Sequence, residues 1–228
     1  MSPPSTTILL VRHADVHNPA DVVYGRLPRF GLSRTGYAEA ARTAAALAAT
    51  PLAALYTSPQ LRARQTARTL AAPHPGLAVR VTRLLAEVRT GYQGLPNVEM
   101  ARRLYNFYEP PHHPDDEGLA DVAARIVRWL ARVLAAHPGQ VVAGVSHGDP
   151  LMIVRLLFDG QDVTLTTMRN PALYPTKGSI TRLVFQGRGD PRRLPVAVTY
   201  DDPNQAHRAA PPEADTTAPW AARSAASE

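Results

Sequence analysis

The sequence contains no cysteine and only one lysine, Lys177, among its 228 residues. The absence of cysteine excludes disulfide bonds, thiolate nucleophiles and cysteine-ligated metal sites, and it fits a reducing compartment. No apolar run reaches the length of a membrane span, and residues 1–5 lack the charged and apolar regions of a signal peptide. These absences predict a cytoplasmic protein with no membrane partner.

Aromatic residues are also scarce, at 6% of the chain, whereas arginine supplies nearly all of the positive charge behind a formal net charge of +6. Such an excess favours anionic partners, namely phosphorylated metabolites, nucleic acid or an acidic surface. Arginines on solvated faces would give the same composition without any ligand. No stretch interleaves aromatic with basic residues as nucleic-acid grooves do, so we expect a small phosphorylated partner and no nucleic acid. The composition does not indicate an oligomeric state.

Short apolar strands alternate with amphipathic helices along most of the chain. This order predicts an α/β fold of three layers, a doubly wound, mostly parallel sheet with helices on both faces. The last two predicted strands have no helix between them, which predicts at least one antiparallel edge strand. We assign one domain to residues 1–200 and a disordered tail to residues 201–228, which are polar and aperiodic. The predicted strands cover residues 6–11, 52–56, 77–81, 140–145, 179–185 and 195–200, and the predicted helices residues 33–47, 60–71, 119–136 and 149–160.

Two arginines and two histidines lie where predicted strands end and helices begin. Arg12 and His13 directly follow the first strand, Arg62 lies at the start of the second helix, and His147 follows the strand 140–145. Open α/β sheets bind ligands at this carboxyl edge, so we expect one anion pocket. Guanidinium groups fork onto phosphate oxygens, and a histidine kept neutral by nearby arginines is a competent nucleophile. The spacing alone predicts an anion site of unspecified purpose, and any single one of these residues is more commonly structural.

An alcohol leaving group needs a proton, so a carboxyl group is expected at the mouth of such a pocket. Glu87 is our candidate for this acid. Asp149 and Asp15 are nearer to the histidines in sequence, but we interpret Asp149 as a helix cap and Asp15 as a turn residue.

The densest group of potential metal ligands is the acidic and histidine-rich run at residues 112–117. Its members are adjacent and lack the spacing that preorganises a metal site, so we interpret it as a loop and predict neither metal nor cofactor. We interpret the arginines of the longest predicted helix as a solvated face; they are Arg125, Arg128 and Arg132.

Four ordered motifs resemble those of the histidine phosphatase superfamily, also called the phosphoglycerate mutase-like family. They are Leu-Val-Arg-His at residues 10–13, Leu-Ser-x-x-Gly at 32–36, Ser-Pro-x-x-Arg-x-x-Gln-Thr-Ala at 58–67, and Ser-His-Gly at 146–148. The resemblance extends over residues 6–185. It implies that His13 is the phosphorylated nucleophile, and that the other three residues bind phosphate; these are Arg12, Arg62 and His147.

The same resemblance implies that Glu87 is the catalytic acid. Asn18 lies one residue before the asparagine that often contacts phosphate in this family, and we carry it over as a further phosphate contact. Ala14 stands where the family has a glycine after its Arg-His pair.

The resemblance favours the phosphatase branch over the mutases. The mutase pattern Glu-Arg-x-Tyr, then Gly-Leu-Asn-Lys, is replaced by Glu-Val-Arg-Thr at residues 87–90 and by Leu-Pro-Asn-Val, without the lysine, at 95–98. We therefore predict a metal-independent phosphomonoesterase that acts through a phosphohistidine on a small phosphorylated metabolite. Residues 91–117 are predicted to form the lid that selects the leaving group. The alternatives are a protein phosphohistidine phosphatase, a silent binding module, and a mutase in which Arg102 and Arg103 supply the missing charge.

Overall fold

The computed structural model describes residues 5–187 and 194–208, which form one mixed sheet and its covering helices. The strands are β1 (Ser5–Arg12), β2 (Leu52–Thr57), β3 (Val79–Val81), β4 (Val141–Ser146), β5 (Ile180–Gln186) and β6 (Ala197–Asp201). The helices are α1 (Arg34–Leu47), α2 (Leu61–Ala71), α3 (Asn97–Arg102), α4 (Leu119–Ala136), α5 (Gly148–Phe158) and α6 (Leu165–Met168).

The sheet has the strand order β3-β2-β4-β1-β5-β6. Strands β1 to β4 are parallel, whereas β5 is antiparallel to both of its neighbours. The parallel part consists of strands that are separated by helices, and the antiparallel pair at the edge has none between them. The predicted α/β sheet with an antiparallel edge is therefore confirmed.

Helices cover both faces of this sheet. Alternate residues of β1 point to opposite faces, and those on both faces are apolar and buried. Ile8 is buried in one core with Trp129 of α4. Leu9 is buried in a second core with Leu70 of α2. Full burial of each such side chain contributes roughly 1.5–3 kcal/mol, so both layers hold the strands rigidly.

The helix boundaries follow from local capping and periodicity. Ser33 is the N-cap of α1, and its Oγ accepts a hydrogen bond from the backbone N–H of Gly36 at 3.0 Å. Helix α4 has the predicted bounds, since its apolar residues recur at helical spacing until residue 136. Among the described residues, no helix combines the length and the apolar character that crossing a bilayer requires.

The register of the central strands aligns their carboxyl ends. Arg12, the last residue of β1, is paired with Ser146, the last residue of β4. Thr57 ends β2 and is paired with Val145, one residue before the end of β4. Because β4 lies between β1 and β2, the residues that follow these three strands emerge side by side at one edge of the sheet.

The segment 91–117, the predicted lid, packs at this same edge. Its Tyr92 and Tyr108 side chains are buried, and its Phe107 lines a cavity together with His13. The backbone N–H of Val23 donates to the carbonyl of Leu95 at 2.8 Å, which ties the segment to the loop after β1.

The prediction of a disordered tail is wrong for residues 201–208. Asp201 ends β6, and the amide oxygen of the buried Asn204 accepts a hydrogen bond from Arg42 Nε at 2.7 Å. Arg208 forms an ion pair with Asp202 at 2.8 Å. These interactions give a polar, aperiodic stretch fixed partners, which composition does not reveal. The remaining predicted tail, residues 209–228, lies outside the described residues.

Candidate active site

The site is built around the guanidinium group of Arg62, which is fully buried in the first turn of α2. Its Nε–H donates to Nε2 of His13 at 3.1 Å, and one terminal N–H donates to Nδ1 of His147 at 3.1 Å. The same terminal nitrogen donates to the carbonyl of Gly25 at 2.8 Å. The two imidazole centroids are 5.0 Å apart, so a single cation holds both histidines in place.

His13 is fixed in one neutral tautomer by its two partners. Its Nδ1 lies 2.8 Å from the carbonyl of Ala14, and a carbonyl only accepts, so Nδ1 carries the proton. Nε2, which accepts from Arg62, therefore carries the lone pair. Burial lowers the pKa of His13 well below its usual value, and the charges of Arg62 and Arg12 lower it further. The result is an uncharged imidazole with its nucleophilic nitrogen held at a defined position.

His147 has the opposite tautomer. Because Arg62 donates to its Nδ1, its Nε2 carries the proton and donates to Ser58 Oγ at 2.6 Å. The Ser58 hydroxyl donates in turn to Oε1 of Gln60, which also accepts the backbone N–H of Glu87 at 3.3 Å. Burial, and then the charge of Arg62, lower the pKa of His147 well below its usual value. The family motifs imply no role for Ser58 and Gln60, which here orient the second histidine.

Two arginine donors in the site have no acceptor in the described part of the chain. Arg62 NH1 and Arg12 Nε are buried, and no described residue accepts a hydrogen bond from either. The rest of the Arg12 side chain is held in place, since its NH1 donates to the carbonyl of Pro175 at 2.6 Å. A buried donor without an acceptor is costly, particularly on a charged group, and a phosphate oxygen would satisfy both. The arrangement is suited to binding an anion.

A cavity of about 220 Å³ opens in front of these groups. Arg12, His13 and Glu87 line it, whereas the fully buried Arg62 and His147 lie directly behind. The five residues singled out with most support in the sequence are therefore brought together by the fold.

Glu87 lies between the cation and the second histidine. Its Oε2 is 3.4 Å from Arg62 NH2 and 3.4 Å from His147 Nδ1. Burial raises the pKa of this carboxyl; Arg62 opposes that effect, and the negative charge of Asp149 adds to it. A carboxyl group with a raised pKa near an anion site is suited to protonate an alcohol leaving group.

The backbone of Glu87 is anchored by two arginines that lie outside the sequence motifs, Arg26 and Arg125. Its carbonyl accepts from Arg26 Nε at 2.7 Å and from Arg125 NH2 at 3.2 Å. Glu117 binds both arginines, with 2.8 Å to Arg26 and 2.9 Å to Arg125. The interpretation of Arg125 as solvated is wrong: it lies three residues after Val122, on the buried stripe of α4.

Asp149 does not act as the predicted helix cap. His147 occupies the N-cap position of α5, and Asp149 lies in the first turn. Its two carboxylate oxygens accept the hydroxyl groups of Tyr108 and Tyr174, each at 2.6 Å. Burial, together with the charge of Asp149, raises the pKa of both tyrosines well above the usual value, so both remain donors.

Asn18 is not brought to the cavity lining. Its amide nitrogen donates to the carbonyl of Val22 at 2.9 Å, and its amide oxygen accepts the Val22 N–H at 3.3 Å. Both polar atoms thus hold the loop after β1, and the predicted phosphate contact has no support from this geometry. Asp15 binds Lys177 and Ser33, which supports a structural role.

The ligand atoms of His13, Glu87 and His147 lie within 4.8 Å of one another, a separation that a metal ion could bridge. However, Arg62 donates to both imidazole lone pairs that a metal would need. A buried guanidinium in that position repels a cation and attracts an anion. In the run 112–117, Asp116 accepts the backbone N–H groups of residues 91, 112 and 113, which fits the predicted loop.

Comparison with known proteins places the chain in the family that its motifs resemble. The sequence model of the histidine phosphatase superfamily (branch 1) matches residues 8–194. The uncharacterized protein Rv0525 of Mycobacterium tuberculosis is 35% identical over 207 residues, which cover 88% of this chain and 98% of that protein.

Solved structures with a similar fold cover most of the chain. The mycobacterial glucosyl-3-phosphoglycerate phosphatase Rv2419c superposes with a TM-score of 0.70 at 24% identity, covering 87% of this chain and 98% of its own. YhfR of Bacillus stearothermophilus superposes with a TM-score of 0.68 at 25% identity, and the match covers 78% of this chain and 90% of the YhfR chain. The chain therefore belongs to the histidine phosphatase superfamily and is an enzyme of the phosphatase class.

Proposed function

We propose that this protein hydrolyses small phosphomonoesters, without a metal, through a phosphohistidine formed on Nε2 of His13. The observation that carries the proposal is the neutral His13, with its lone pair on Nε2, in a cavity bordered by arginine donors for which no described residue is an acceptor. A nucleophile, its anion site and an acid are all present within one cavity wall.

In the first step, the lone pair of His13 Nε2 attacks phosphorus, a P–N bond forms and the P–O ester bond breaks. The departing oxygen takes the proton of the Glu87 carboxyl and leaves as an alcohol. In the second step, Glu87 takes a proton from water while the water oxygen attacks phosphorus. The P–N bond then breaks, inorganic phosphate leaves, and both His13 and Glu87 return to their initial states.

The arginines stabilise the charge on the transferring phosphoryl group. Arg62 exchanges its hydrogen bond to His13 for a phosphate oxygen, which frees the Nε2 lone pair for attack. Its unpartnered NH1 and the Nε of Arg12 supply further donors. Burial and positive charges lower the pKa of His147, and the charge of a bound phosphate dianion opposes both effects. When Arg62 NH2 turns from Nδ1 of His147 to a phosphate oxygen, Nδ1 takes a proton from solvent and donates it in a hydrogen bond to phosphate.

The mutase alternative receives no support from the lid. Arg102 is exposed and paired with Glu99, and Arg103 donates to the Tyr92 hydroxyl at 2.7 Å. Neither arginine lines the cavity that contains His13. The charge that would replace the missing mutase lysine is therefore engaged elsewhere.

Kinetics of matched histidine variants test the proposal. Wild-type protein, His13→Ala and His17→Ala are assayed with an aryl phosphate and a panel of alkyl phosphates, without added metal and with chelator. His17 is exposed and four residues from the nucleophile, so it controls for loss of a histidine in the same loop. We expect activity to disappear in His13→Ala and to persist in His17→Ala. Comparable activity in both variants would refute the assignment of the nucleophile.

A further inference from the structure

A second cavity, of about 370 Å³, adjoins the one that contains His13. Because the two cavities share five lining residues, the second cavity lies within reach of a group esterified to a phosphate beside His13. A volume of this size falls in the range of pockets that hold small organic ligands. The shared residues are Arg12, Tyr105, Phe107, Asp149 and Tyr174.

The walls of the second cavity are mostly hydrocarbon. The lid contributes Leu104 and Phe107, and α6 contributes Leu165 and Met168. The rings of Tyr108 and Tyr174 form another wall, and Pro171 and Pro175 extend it.

Most polar groups in these walls already have partners. Asp149 uses both carboxylate oxygens to accept the two tyrosine hydroxyls, so these rings present carbon to the cavity. The Thr176 hydroxyl donates a hydrogen bond to Asp202 Oδ2 at 2.7 Å, and Asn170 Oδ1 accepts one from the backbone N–H of Ala172 at 3.1 Å. The two guanidinium groups of the wall, those of Arg12 and Arg169, can serve only some hydroxyl groups of a sugar. The other hydroxyl groups would be buried without partners, which is costly, whereas an apolar group would lose nothing.

We propose that the second cavity is the leaving-group subsite and that it takes a hydrophobic alcohol, aromatic or branched aliphatic, from the phosphomonoester. This inference rests on the proposed function and names its substrate class. Arg169 adds one guanidinium to the wall, and a carboxylate on the leaving group is the competing preference that the experiment separates.

A panel of primary-alcohol phosphates tests the preference, because their ester bonds have similar intrinsic reactivity. The panel contains 3-phenylpropyl phosphate, ethyl phosphate, glucose 6-phosphate and 3-phosphoglycerate. Burial of each CH₂ group contributes about fourfold in affinity. We therefore expect kcat/KM for 3-phenylpropyl phosphate to exceed that for ethyl phosphate by at least about 30-fold. A preference for the sugar or for the carboxylate would overturn the inference while leaving the phosphatase proposal intact.

A charge placed in the cavity should abolish the preference. In Leu165→Asp, the ratio of kcat/KM between 3-phenylpropyl and ethyl phosphate should fall by at least about tenfold. The control is Val127→Asp, an exposed apolar residue of α4 outside both cavities, which should retain the wild-type ratio. A ratio measured within one variant does not change when part of the protein is unfolded. An unchanged ratio in Leu165→Asp would contradict the subsite.

Calorimetric titration with non-hydrolysable phosphonates separates binding from turnover. We expect 3-phenylpropylphosphonate to bind at least about 30-fold more tightly than methylphosphonate. Tight binding without hydrolysis of any ester would support the subsite and contradict the proposed function. Equal affinities for the two phosphonates would overturn the subsite, whatever the enzyme hydrolyses.

Discussion

Replacement of Glu87 by glutamine removes the proposed acid while keeping the shape of the side chain. In the wild-type structure, burial keeps the pKa of this carboxyl raised, and its Oε2 is 3.4 Å from both Arg62 NH2 and His147 Nδ1. An amide at the same position cannot protonate a leaving alcohol. Loss of general acid catalysis costs about 10²- to 10⁴-fold in rate. We therefore expect phosphorylation of His13 by an alkyl phosphate to slow by that factor in Glu87→Gln.

The leaving group decides how large the effect is. A nitrophenolate leaves without a proton, so its phosphate ester should still phosphorylate the variant at close to the wild-type rate. Hydrolysis of the phosphoenzyme should nevertheless be slow, because Glu87 also activates water. Rapid-quench kinetics should then show a burst of nitrophenol equal to the enzyme concentration, followed by slow turnover. With the alkyl ester, no burst is expected.

Inhibition by inorganic phosphate serves as the control for an intact site. The substitution removes a negative charge next to Arg62, so phosphate should bind to Glu87→Gln at least as well as to the wild-type enzyme. Equal losses for the aryl and alkyl esters, with phosphate inhibition retained, would refute the acid role of Glu87.

Three further predictions concern the surroundings of the site. In Asp149→Asn, loss of a charge that raises the pKa of Glu87 should move the alkaline limb of the kcat/KM profile for an alkyl phosphate to lower pH; an unmoved limb contradicts this coupling. Arg125→Ala should lower the free energy of unfolding in urea by about 2–3 kcal/mol, because charged hydrogen bonds are lost, whereas the exposed Arg128→Ala should stay within about 0.5 kcal/mol of the wild type. In Gly144→Ala, the new Cβ would lie 2.6 Å from the indole of α4, so we expect a loss of about 1–3 kcal/mol in thermal unfolding; an unchanged Tm would show that the core yields.

Much of the site was predictable because it depends on strand ends. Arg12 and His147 follow strands whose register brings their carboxyl ends together, and this follows once the sheet is parallel. Arg62 begins the helix after β2 and is directed back to the same edge. The order of strands and helices is visible as alternation of short apolar runs with helical periods, so the sheet and its central residues were predicted together.

The supporting residues were not predictable from local patterns. Glu117 and Arg26 meet through contacts between residues 91 positions apart, and no periodicity encodes them. The pair Asp149-Pro150 predicts a helix cap, because acidic residues commonly precede a proline at a helix start. Its carboxylate instead accepts hydrogen bonds from two tyrosines of distant segments, Tyr108 and Tyr174. The charge of Arg125 predicts an exposed side chain, whereas its position three residues after Val122 places it on the buried stripe of α4.

The most direct measurement of the catalytic role of His13 is to locate the phosphoryl group in the trapped intermediate. Glu87→Gln is mixed with an aryl phosphate, quenched under alkaline conditions that preserve phosphohistidine, and digested for mass spectrometry and phosphorus NMR. We predict one phosphoryl group per protein, bonded to Nε2 of His13, whose other ring nitrogen donates to the Ala14 carbonyl. A phosphoryl group on His147, or enzyme that turns over without a phosphorylated intermediate, would contradict the mechanism.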